Sequence, residues 1–116
     1  MDRNLLLDVQ RRVIGGYINA EEFSVNGSAE KILSIELDEA LFDNFIHKAV
    51  VRACRKLREI EFPITEYTVL EFLQKHNLPK GAAQESEYLH LQASRAITPE
   101  SFSAYISMIL KHKMES

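Results

Sequence analysis

Residues 38–64 read DEALFDNFIHKAVVRACRKLREIEFPI, and the period of this stretch decides the fold. Phe42, Ile46, Ala49, Val50, Ala53 and Leu57 recur at spacings of three and four, the repeat that lines one face of an α-helix. Lys48, Arg52, Arg55 and Lys56 fall on a different face, so the helix is amphipathic. Asp38 is the candidate N-cap, with Glu39 favourably placed in the first turn, and the helix is expected to run to about Glu59. Phe62-Pro63-Ile64 then breaks it, because the residue before a proline is pushed out of the α region.

The same period extends in both directions. Leu6, Val9, Val13 and Tyr17 line one face of an expected first helix over about 3–19. Gly15-Gly16 interrupts it at a cost of about 1 kcal/mol per glycine against alanine. Two readings of the pair stand open: the helix frays or ends there, or a neighbouring helix crosses so closely that only hydrogen side chains fit. Asn26-Gly27 marks a turn, and Ser28 offers a cap for a short helix carrying Ile32 and Leu33. On the far side of Pro63, Thr65 caps a helix with Val69, Leu70 and Leu73 facing inward. Residues 77–81 read as a loop, and a short helix with Tyr88, Leu89 and Leu91 is expected beyond it. Thr98-Pro99-Glu100 combines a cap, a proline at the first helical position and an acid in the first turn. The helix it opens should bury Phe102, Tyr105, Ile106 and Ile109. No stretch alternates with a period of two. The expected fold is all-α: one compact domain of about six helices over residues 1–116, with no sheet.

Composition narrows the function. The chain has 116 residues, 46% hydrophobic and 27% charged, with three prolines and four glycines. That excludes collagen, a disulfide scaffold and a disordered tail. Its net charge is −3 and its pI near 5.8, whereas dedicated nucleic-acid-binding domains lie above about 9. Yet residues 47–58 carry five bases and no acid. This cationic stripe is either a solvated face or an electrostatic contact to an acidic partner or to phosphates. No aromatic residue is interleaved with it, which favours protein contact over single-strand stacking. Cys54 is the one cysteine, so no internal disulfide forms, in keeping with a reducing compartment. Residues 1–12 hold no long apolar run, so no secretory leader is expected, and no apolar run reaches the ~20 residues that span a membrane. A cytoplasmic location is expected.

Catalytic constellations are missing from the pattern. There is no GxxxxGK[ST] phosphate loop, and Gly15-Gly16 lacks the third glycine of a dinucleotide fingerprint. His47, His76, His90 and His112 have no His or Cys partner at metal-ligand spacing. Cys54 reads as a small buried hydrophobe and His47 as a packing histidine at the edge of the core. Glu21-Glu22 and Glu85/Glu87 do not share a helix face, which argues against paired acid–base work. No catalytic residue, metal ligand or cofactor is expected.

One ordered arrangement is more specific. Val13-Ile14-Gly15-Gly16 is followed by Phe42 with His47 five positions on, Leu57 ten after that, and Pro63-Ile64 six later. Thr68-Val69, Leu73, Tyr88-Leu89, Leu91, Thr98-Pro99 and Tyr105 complete it. This order resembles the N-terminal domain of DnaB-type replicative DNA helicases. That domain shows a V-L-G-G helix, F-x4-H, an aliphatic helix ending in leucine, P-I-[DT], a T-[LV] helix, a Y-L pair, and a last helix opened near Thr-Pro with a tyrosine inside. The match spans roughly residues 5–110.

The resemblance implies a helical collar domain with no chemistry of its own. In that family the domain supports hexamer assembly through contacts with other helicase subunits, and it receives primase and helicase loaders. The helicase-binding domain of bacterial primases has a similar fold. On this reading Gly15, Gly16, Phe42, His47, Leu57, Pro63 and Tyr105 are structural, and Arg52, Arg55 and Lys56 form the candidate rim of a partner contact. Residues 99–113 would begin the helical hairpin that follows the family's head. The family's ATPase domain is not within these 116 residues, so the chain is either a cut piece or a stand-alone relative, expected as a monomer or weak dimer. DNA contact is expected to be weak at most. The alternatives are a small stand-alone regulator that binds DNA through its basic helix, and a phage or plasmid adaptor that imitates the collar.

Overall fold

Asp2 starts the first helix: its carboxylate accepts the Leu5 amide at 2.8 Å, and its carbonyl accepts the Leu6 amide at 3.0 Å. The computed structural model describes residues 1–23, 28–35, 37–76 and 97–115. Helix α1 spans Arg3–Phe23, α2 Ser28–Leu33, α3 Phe45–Glu59, α4 Glu66–Lys75 and α5 Pro99–Glu115. A single 3-10 turn covers Glu39–Leu41. No strand occurs among the described residues, so the chain is an all-α compact single domain of about five helices. The expected loop at 77–81 and the expected helix with Tyr88, Leu89 and Leu91 lie outside the described residues.

Helix α1 is the axis of the fold. It packs against α5, α2 and α3, while α3 packs against α4. The stripe Leu6, Val9, Val13 and Tyr17 is buried as its spacing predicts. From residue 13 to 20, however, every position of α1 is buried, so the helix is enclosed on more than one face. This corrects the expected end near residue 19 and removes one of the two open readings of the glycine pair, the one in which the helix stops there. The helix runs straight through Gly15-Gly16 to Phe23. A Cβ on Gly16 would lie 2.6 Å from both Cγ1 and Cδ1 of Ile97 and 3.3 Å from Cδ2 of Phe102. The Ile97 side chain, from the segment leading into α5, therefore rests directly on Gly16, and any side chain at residue 16 must displace it.

A second correction concerns the start of α3. Asp38 does cap, accepting the Ala40 amide at 3.0 Å, but what it caps is the 3-10 turn. The chain then extends at Phe42 (φ −121°, ψ 140°), and Asn44 caps α3 by accepting the Ile46 amide at 2.8 Å. Two Asx side chains compete for this segment, and each offers the backbone a local turn. The extended link drops Phe42 into the core, where its ring meets the edge of His47 at 6.0 Å. Gln10 ties the turn to α1, its Nε2 donating to the Leu41 carbonyl at 2.9 Å. The buried face of α3 is wider than the expected stripe. Val51 and Cys54 join it, whereas Ile46 is only half-buried.

The end of α3 is set before Pro63 acts. Glu61 adopts φ 57°, its amide donates to the Arg58 carbonyl at 3.1 Å, and the Phe62 amide reaches back to Leu57 at 2.9 Å. This pair of bonds is a Schellman closure with glutamate where glycine is usual. Left-handed backbone costs a β-carbon residue about 1–2 kcal/mol. Glu61→Gly is therefore expected to stabilise by about 0.5–1 kcal/mol once the added unfolded-state freedom is subtracted. A urea midpoint that rises with unchanged slope would bear this out, and a fall would contradict it.

The remaining starts follow the sequence closely. Thr65 and Thr68 form a reciprocal capping box, with Thr68 N to Thr65 Oγ1 at 3.1 Å and Thr65 N to Thr68 Oγ1 at 2.8 Å. Thr98 Oγ1 accepts the Ser101 amide at 3.1 Å, and α5 begins at Pro99. Phe102 and Ile109 of α5 are fully buried, whereas Tyr105 and Ile106, expected in the core, are half-buried. No helix among the described residues is long and apolar enough to cross a membrane.

Candidate functional site

The basic residues of α3 divide by what they touch. Arg52 is exposed and forms a two-point pair with Glu39, Nε to Oε2 at 2.8 Å and Nη2 to Oε1 at 3.0 Å. That bond holds the Glu39 carboxyl below its ordinary range and raises the guanidinium of Arg52. Lys56 turns along its own helix to Glu59 at 3.1 Å. Arg55 and Arg58 instead face a groove between the C-terminal half of α3 and the end of α2. Of the three expected rim residues, Arg55 alone lines this groove. Arg52 and Lys56 stand on the outer face, each beside a carboxylate.

The groove has a volume of about 320 Å³. Tyr17, Leu33 and Leu37, all buried, form its floor, with half-buried Ile35 beside them. Burial pushes the Tyr17 phenol up to about 12, the nearby Cys54 and Glu21 add to the rise, and Arg58 and Arg55 oppose it. The phenol therefore stays protonated across the physiological range. Arg58 reaches Glu30 of α2 at 3.8 Å, with side chains 40% and 77% exposed. A pair that long and that wet contributes little. Arg58 also borders a second hollow of about 390 Å³ with Glu21, Glu61, Phe62, Pro63 and Ile64. There the carboxylate of Glu21 accepts the Ile64 amide at 3.3 Å, tying α1 to the start of α4.

Arg58 is not among the rim residues expected from the sequence. Its signal is the spacing of three from Arg55, which puts both guanidinium groups on one face. What the sequence does not reveal is that α2 ends opposite that face.

The other singled-out residues have structural placements. Gly15 and Gly16 are buried in α1, Phe42 and Leu57 lie in the core, Tyr105 is half-buried on α5, and Pro63 is exposed at the α3–α4 turn. His47 is buried at 2% exposure, deeper than the core edge expected for it. Burial, with Arg11 nearby as the smaller cause, lowers its pKa from 6.5 to about 4. Cys54 is buried, and burial pushes its thiol up to about 12, which removes the thiolate that a nucleophile needs. Among the described residues no group of three or more His, Cys, Asp or Glu side chains is placed to hold a metal ion.

Compared with protein-family models, with curated proteins and with solved structures, the chain matches none. The groove's chemistry is therefore described by its own residues: an apolar floor, two guanidinium groups on one wall, and an open side to solvent.

Proposed function

We propose that the chain is a protein-interaction and assembly module of the DNA replication machinery, similar to the collar domain of a replicative helicase, that receives primase or a helicase loader. The observation that carries this reading is the order of residues from Val13 to Tyr105, which resembles that domain across nearly the whole chain. The groove beside Arg55 and Arg58 supports it from a second direction. An apolar floor with a charged rim is the anatomy of a protein contact. In a longer parent the same domain would also meet its neighbours in a ring.

The arrangement on α3 favours a protein partner over DNA. Arg52 and Lys56 each lean on a carboxylate of this chain, so the outer basic face is partly neutralised. A DNA-binding helix would spend those cations on phosphates.

The test is affinity capture with the immobilised chain against purified primase, helicase and loader from the same cell, alongside a band-shift with duplex and single-stranded oligonucleotides. Capture of one of the three proteins with no band-shift is expected. A band-shift at low salt that disappears steeply as salt rises, with no protein captured, would replace this reading with the DNA-binding one.

A further inference from the structure

Two of the chain's three methionines meet a histidine where α1 starts and α5 ends. Met1 and Leu5, with Met108, Lys111, His112 and Glu115 of α5, line one hollow of about 230 Å³. We propose that this hollow is a site for cuprous copper, held by the thioethers of Met1 and Met108 and the imidazole of His112. The site stands apart from the interaction-module reading, and either can fail alone.

Helix geometry places two of the donors. Met108 and His112 are four apart on α5, the spacing that puts two side chains on one face. Packing supplies the third. Helix α1 lies against α5, and its N-terminal end brings Met1 to the same hollow. Met1 and Met108 are each 39% exposed and His112 is half-buried, so an ion reaches the donors from solvent. Spacings of histidine and cysteine do not reveal the trio, because two of its donors are thioethers.

Donor chemistry selects the ion. Thioethers are soft, neutral ligands that favour Cu(I), whereas calcium and magnesium take oxygen ligands and zinc takes thiolate, imidazole and carboxylate. The thioethers bind without losing a proton, while a thiol must first ionise. Cys54, the chain's other soft donor, is buried with its thiol pushed up to about 12, so it does not compete in the folded chain. Lys111 is exposed, and its flexible stem lets the ammonium turn to solvent, away from the metal.

Silver(I), as soft as cuprous copper and stable in air, is the probe. It is titrated into the full chain isotope-labelled at its methionine methyls and histidine rings, followed by NMR. Met114 is 86% exposed and does not line the hollow, so it is the internal control. The methyls of Met1 and Met108 and the ring of His112 are expected to move together and to saturate with a Kd below about 10 µM, while Met114 stays in place. Met108→Leu, which keeps volume and apolar character, should weaken binding at least tenfold. His112→Gln should do the same, and Met114→Leu should change nothing. Cys54→Ala removes the one thiol and should leave the titration as it is in the wild type. Circular dichroism confirms that the variants keep their helices. Cuprous copper, delivered without oxygen against a coloured chelator, should be taken up by the wild type and at least tenfold less tightly by Met108→Leu.

No shifts up to about 1 mM silver, movement of Met114 equal to that of Met1 and Met108, or unchanged affinity in Met108→Leu would overturn the site. Silver binding as expected with no uptake of cuprous copper would overturn the assignment of the metal.

Discussion

Gly16→Leu is expected to lower the thermal midpoint by about 5–15 °C, the equivalent of about 1–3 kcal/mol of overpacking. The cause is the crossing of α1 by the segment entering α5. A bare Cβ at residue 16 already lies 2.6 Å from two atoms of Ile97 and 3.3 Å from Phe102. Phe102 is fully buried and lies tilted by 31° against Tyr17 with ring centres 6.3 Å apart, so it has little room to give. Gly16→Ala supplies a test of sign. At an open helix position, alanine would stabilise by about 1 kcal/mol through helix propensity. Here the methyl must displace Ile97, and the substitution is expected to destabilise. A Gly16→Ala variant more stable than wild type, or an unchanged midpoint for Gly16→Leu, would mean that the two helices do not meet closely at this residue.

The second large effect depends on pH. The native pKa of His47 is depressed from 6.5 to about 4, chiefly by burial and secondly by the charge of Arg11. Between those values the unfolded chain binds a proton that the native chain refuses. Stability is therefore complete above pH 6.5 and falls as the pH drops, until the loss levels off below about 4. At 1.36 kcal/mol per unit the full loss is about 3 kcal/mol, with about 1 kcal/mol of it already gone at pH 5.5. Acidic side chains also titrate over part of this range, so the clean measurement is a difference. Urea unfolding of wild type and His47→Leu at pH 7.5, 5.5 and 4.5 should show the variant gaining on the wild type as the pH falls. A difference that stays constant with pH would contradict the depressed value.

Most of the helical architecture was legible because its signals are local. The stripe Val50, Ala53 and Leu57 is buried where its spacing put it, and Thr65 and Thr98 cap the helices they precede. The rest turns on contacts from afar. Gly15-Gly16 leaves a helix end and a close crossing equally open, because helix propensity counts only the chain's own backbone, whereas Ile97 and Phe102 arrive from about eighty residues away to decide for the crossing. Asp38 was a sound cap assigned to the wrong element, since Asn44 six residues on supplies a second one and Phe42 must turn inward between them. His47 was placed at the core's edge from its neighbour Ile46, yet the histidine is the buried one of the two.

The candidate site was legible in composition but not in geometry. The basic stripe announced a charged face on α3. Which of its members border an apolar groove and which lie on the outer face depends on where Glu39 and the end of α2 fall. Arg58 gained its place from that packing, and Arg52 was drawn to Glu39 by it.

We propose that this domain works by binding a protein of the replication machinery. Isothermal titration of purified primase, and separately of the loader, into the chain at about 150 mM salt tests it most directly, with a duplex oligonucleotide as the third titrant. A saturable heat with primase or loader, and none with DNA at that salt, is expected. No heat with either protein, together with DNA binding whose affinity drops steeply as salt is raised, would contradict it.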